Sequence, residues 1–140
     1  MKEFSANVEI AASPETIWRI LTDAAQYPQW DPGIISISGK IALGQPLVIY
    51  TKAAPQRAFK PSVTEYDANR RMVWRSGMPL GLFHGARTFM LEPLGGSRVR
   101  FTLREEYGGL LLGMIGKSIP DLNPVFSAFA AALKRRAESA

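Results

Sequence analysis

Residues Phe89–Gly109, FMLEPLGGSRVRFTLREEYGG, hold two alternating runs on either side of a glycine-rich break. Successive side chains of a strand point to opposite faces. Val99, Phe101, Leu103, Glu105 and Tyr107 therefore share one face, and Arg98, Arg100, Thr102, Arg104 and Glu106 the other. The first face is mostly apolar and is predicted to point inward. The same phase turns Phe83, Gly85, Arg87, Phe89 and Leu91 inward on the preceding strand. The break near Leu94–Gly96 joins the two as a hairpin.

Working outward, the alternation predicts strands at Ile34–Lys40, Leu47–Lys52, Phe59–Asp67, Met72–Ser76, Leu82–Glu92 and Arg98–Tyr107. They are punctuated at Gly44-Gln45-Pro46, Ala53–Gln56, Ala68–Arg70, Gly77–Gly81 and Pro93–Ser97. Connections this short suit antiparallel pairs, since parallel pairs need long crossovers. Phe4, Ala6, Val8 and Ile10 alternate as well, so the expected sheet has seven antiparallel strands.

Two segments read as helical. Ser13-Pro14-Glu15-Thr16 has a capping hydroxyl followed by proline at the first helical position, and Ile17, Ile20 and Leu21 give the buried face. Ala24–Tyr27 reads as a second short helix ended by Pro28, and Trp30-Asp31-Pro32-Gly33 as loop with Trp30 anchored on the sheet edge. At the other end, Leu122, Phe126, Phe129 and Leu133 form an amphipathic stripe. Asn123-Pro124 would begin that helix, and Lys134, Arg135 and Arg136 lie at its end, where cations suit the helix dipole. The fold class is α+β.

Composition narrows the chemistry. The 140 residues suit a single domain, 1–140, and 46% of them are hydrophobic; a chain of this size buries roughly 70% of its unfolded surface. With no cysteine and one histidine, His84, disulfide frameworks, thiolate metal sites and multi-histidine centres are excluded. The residues call for no cofactor and no metal. Glu3 and Glu9 interrupt the first apolar positions, and Gly108–Gly116 falls far short of the roughly 20 residues that span a bilayer. A cytoplasmic protein is expected. The net charge of +5 is scattered rather than gathered into a basic helix, so nucleic acid is not an expected partner.

Four pieces resemble the SRPBCC superfamily of START-like, helix-grip domains: VEIAASPETIWRILTDAAQYPQW, the strand MVWRS, the hairpin quoted above, and the ending FSAFAAALKRRAE. The likeness is greatest to its polyketide cyclase/dehydrase-like branch. It implies a sheet curved around the long C-terminal helix, with an internal cavity between them and two short helices after the first strand. It implies binding of a hydrophobic small molecule of lipid, polyketide or aromatic type, or, as the alternative, a polyketide cyclase/dehydratase. An apolar small molecule is the expected partner, and a homodimer is compatible with the composition.

Two charged residues, Arg87 and Glu105, fall on faces that are otherwise apolar. Cross-strand neighbours with long side chains can meet, and a buried charge is tolerable when paired. They are expected as a polar pair in the cavity wall, as a plain internal salt bridge, or with Arg87 turned out to solvent by a β-bulge. For the enzyme, Glu105 would be the base, Arg87 the stabiliser of an enolate, and Tyr107 or His84 a proton donor. Alternation sends His84 outward, but nearby glycines weaken the phase. The expected ligand-binding set is Trp74, Phe83, Arg87, Phe89, Phe101, Leu103, Glu105, Tyr107, Met114, Phe126 and Phe129. The polar tips of Trp74 and Tyr107 could reach a ligand. Leu110, Leu111, Met114 and Ile115, within Gly109–Ile119, form either a lid or the buried face of a short helix.

Overall fold

The structure, a computed structural model, describes residues 2–140. Strand β1 (Lys2–Ile10) leads into helix α1 (Pro14–Thr22), and after a 3-10 turn comes the single-turn helix α2 (Tyr27–Trp30). Then follow β2 (Ile34–Ser38), β3 (Val48–Thr51), β4 (Ala54–Phe59), β5 (Ser62–Asp67), β6 (Arg71–Gly77), β7 (His84–Gly95) and β8 (Arg98–Gly108). A short helix α3 (Leu112–Ile115) precedes the long α4 (Asn123–Glu138).

These eight strands form two antiparallel sheets rather than one of seven, ordered β1-β8-β7-β6-β5 and β2-β3-β4. A bridge between Pro46 and Ser62 joins them. The additional strand is β4. Its Pro55 marks a break in the sequence, yet β4 pairs on one side only, and an edge strand can turn the missing proline N–H away from the ladder. Lys60-Pro61 then separates β4 from β5, so Phe59–Asp67 is not one continuous strand.

The hairpin register puts Arg87 directly opposite Glu105. The register shifts by one residue between Pro93 and Gly95, and Gly95, Gly96 and Ser97 all take positive φ through the turn. Consecutive left-handed residues match the twist of the flanking strands.

At the start of α1, the Ser13 hydroxyl accepts the Thr16 backbone N–H at 3.1 Å, and Pro14 opens the helix. Pro28 ends no helix; it sits in the first turn of α2, where a missing N–H loses no partner. Asn123 does not cap α4 either. Its Oδ1 accepts the Ser5 N–H at 3.2 Å, while at the far end Glu138 accepts the Ala11 N–H at 2.8 Å. Both ends of α4 are thus strapped to β1 or the residue beyond it. The core is aromatic where α2, α4 and the large sheet meet: Phe129 lies 5.1 Å from Trp30, 6.0 Å from Phe101 and 6.2 Å from Phe89 between ring centroids. Trp30 is therefore a core residue at the end of α2 and not a loop anchor.

Candidate functional site

A cavity of about 450 Å³ lies between the two sheets and α4. That is within the roughly 300–1,000 Å³ typical of small-molecule sites. The small sheet and the segment before it contribute Asp31, Ile34, Ile49, Thr51 and Phe59. The large sheet contributes Trp74, Ser76, Gly85, Arg87, Leu103, Glu105 and Tyr107, and the α4 side Leu122, Val125, Phe126, Ala128 and Phe129. Apolar side chains dominate.

The polar centre is built on the hairpin. Arg87 Nε and Nη2 donate to Glu105 Oε2 at 2.9 and 2.8 Å, and the Tyr107 hydroxyl donates to Glu105 Oε1 at 2.6 Å. The Arg87 side chain keeps 31% of its surface accessible and Glu105 14%, on a wall of the cavity. Across from β7, the Phe126 ring centroid lies 5.2 Å from Arg87 Cζ, a cation–π contact. Burial works against the Arg87 charge, but the Glu105 carboxylate outweighs it and raises the guanidinium pKa. Burial, followed by the charge of Glu105, also raises the Tyr107 pKa, so the hydroxyl keeps its proton. Gly85 makes this geometry accessible. A Cβ there would lie 3.2 Å from the Tyr107 ring, which lies over the strand instead.

Asp31, read from sequence only as loop, also lines the cavity and is 7% exposed. Its Oδ1 accepts the Gly33 backbone N–H at 2.9 Å. Burial raises its pKa, against the lowering effect of that hydrogen bond and of Arg87 and Lys52. No periodicity runs through Trp30-Asp31-Pro32-Gly33, so the side chain has no predictable direction; the available signal is a charged residue flanked by tryptophan and proline.

Of the residues expected to bind a ligand, Trp74, Arg87, Leu103, Glu105, Tyr107, Phe126 and Phe129 line the cavity. Phe89 and Phe101 share the inward face but lie deeper, 0% exposed, covered by Trp74 and Phe129. Phe83 precedes β7 and stacks on Tyr107 with centroids 5.9 Å apart. Met114 projects to solvent, 79% exposed, and Gly109–Ile119 contributes nothing to the lining. His84 lies outside the lining too; its ring covers Gly108, where a Cβ would meet it at 2.8 Å. Trp74 presents its ring and not its polar tip, because Nε1 is fully buried without an acceptor, as is that of Trp30. Among the described residues no group of three His, Asp or Glu could hold a metal ion.

Two antiparallel sheets closed on a C-terminal helix around an apolar cavity define an α+β helix-grip domain. The chain belongs to the family described as polyketide cyclase / dehydrase and lipid transport, which it matches over residues 1–138. No curated protein matches it. Among solved structures it is similar to the hypothetical protein jhp0584 from Helicobacter pylori, with a TM-score of 0.79, 16% identity, and coverage of 97% of this chain and 88% of that one. It is similar to a START superfamily protein from Mycobacterium smegmatis, with a TM-score of 0.71, 21% identity, and coverage of 98% and 97%. A third similar structure is the di-domain ARO/CYC BexL of the BE-7585A biosynthetic pathway, with a TM-score of 0.74 and 16% identity. The match covers 99% of this chain and 47% of BexL.

Proposed function

We propose that the protein binds an apolar small molecule in this cavity, with a polar group of the ligand held by Arg87. The observation that carries this is the apolar lining around Arg87, whose Nη1 donates to no described residue. The START superfamily neighbour and the family's lipid-transport description support it. The test uses the anionic dye anilinonaphthalene sulfonate, followed by titration calorimetry. Wild type should bind one dye per chain, Arg87→Met should weaken binding about tenfold, the scale of one hydrogen bond to a charge, and Ala128→Trp should block it. Absence of binding in the wild type, or binding indifferent to both substitutions, would overturn the proposal.

A second reading is cyclase/dehydratase chemistry, with Arg87 stabilising an enolate, Glu105 as base and Tyr107 as proton donor. The juxtaposition of the three favours it, and so does the likeness to BexL. Glu105 already accepts from Arg87 on Oε2 and from Tyr107 on Oε1, and donors to the charged form lower a carboxylate's basicity, which ranks this second. His84 lies outside the lining, which favours Tyr107 over it as the donor in this reading. Turnover of an aromatic polyketone that survives Glu105→Gln would remove Glu105 as the base.

A further inference from the structure

We infer that Asp31 is a second recognition point in the cavity, an acceptor for a hydrogen-bond donor, hydroxyl or ammonium, carried by an otherwise apolar ligand. This rests on the ligand-binding proposal above and adds to it the chemistry the ligand must bear.

Asp31 ends α2 and is 7% exposed, on the cavity wall. Its turn uses one oxygen: Oδ1 takes the Gly33 N–H at 2.9 Å. No described residue donates to Oδ2, and Oδ2 is not enclosed either. The fully buried, unpartnered side-chain polar atoms among the described residues are the two indole nitrogens of Trp30 and Trp74. Half of the carboxylate is therefore unpartnered on a largely buried residue of the cavity wall.

None of the surrounding groups supplies the partner. Arg87 is near enough to act on Asp31 through its field, but its Nε and Nη2 donate to Glu105 and its free Nη1 makes no hydrogen bond to Asp31. The Tyr27 hydroxyl is buried and donates to the Leu21 carbonyl at 2.6 Å. Lys52 is exposed and does not line the cavity. A carboxylate removed from water is costly unless hydrogen-bonded, and the turn alone would be served by an amide. A ligand in the cavity that Asp31 lines can bring the donor that Oδ2 lacks. Arg87 then offers donors to one end of the ligand, and Asp31 an acceptor to the other.

The test compares three probes on one ring system, by calorimetry with the full chain: naphthylethanol, naphthylethylamine as its ammonium ion, and naphthylethyl methyl ether, which donates nothing. In the wild type, a donor probe should bind about tenfold more tightly than the ether, the scale of a hydrogen bond to a charged group. Asp31→Asn keeps an oxygen for the Gly33 N–H and turns the cavity-facing position from acceptor to donor. It should erase or reverse that preference. A gain by alcohol and amine alike supports a general donor, and a gain by the amine alone supports an ammonium. Equal binding of all three, or an unchanged ranking in Asp31→Asn, overturns the inference and leaves the ligand cavity standing provided the anionic dye still binds. If neither probes nor dye bind, the ligand cavity itself fails.

Discussion

At Arg87 and Glu105, two charges on apolar strand faces are kept in place by each other. Removing one partner leaves the other's charge on the cavity wall, and breaking such pairs is far costlier than replacing both with apolar residues. Arg87→Met should destabilise by about 2 kcal/mol, below the range for fully buried pairs because Arg87 keeps access to the cavity. The double variant Arg87→Met/Glu105→Leu should recover most of the loss, as read by urea titration. Asp31 carries the opposite sign. Burial raises its pKa, so the folded chain holds that proton more tightly than the unfolded chain does. Its contribution is most favourable at low pH and is lost as pH rises from the ordinary Asp value through the folded one. Asp31→Asn should therefore be more stable than wild type at neutral pH, with the advantage vanishing below about pH 4. Equal stability at both pH values would show that the buried carboxylate carries no such cost. Arg87 and Glu105 were legible in sequence because strand alternation assigns each residue a face. Asp31 was not, because a loop has no phase.

Among elements, the hairpin was the most legible and β4 the least. Alternation survives through Arg98–Gly108 and fixes which side chains point inward. It does not fix depth, and so Phe89 and Phe101 lie under the cavity floor although their faces were read correctly. In β4, the proline that reads as a break is harmless at an edge. Alternation alone does not reveal the irregularity at Leu94, which lies between the pairs Pro93–Val99 and Gly95–Arg98. Deleting Leu94 should join those two pairs into a regular two-residue hairpin and leave Arg87 opposite Glu105. Stability should change by less than about 1 kcal/mol, with amide spectra altered only near the turn. Widespread shifts along β7 and β8 would show that the extra residue sets the register.

For the whole molecule, the α+β class and the C-terminal helix followed from the change of period near residue 122, while the division into two sheets did not. Part of the positive charge forms an outer skin on β8: Arg98 faces Glu9 at 3.9 Å, Arg100 faces Glu92 at 3.0 Å and Arg104 faces Glu106 at 2.7 Å. Exposed pairs contribute little, so Glu92→Ala should change stability by less than about 0.5 kcal/mol in thermal unfolding. A larger loss would mean that the skin acts as a network. The buried indoles of Trp30 and Trp74 bear on how the protein can be observed. Both are held away from water and lack an acceptor for their N–H, and the Trp74 ring forms part of the cavity wall. Native emission should be correspondingly blue, and occupancy of the cavity should change it before any unfolding does. The protein carries its own optical gauge of what it holds.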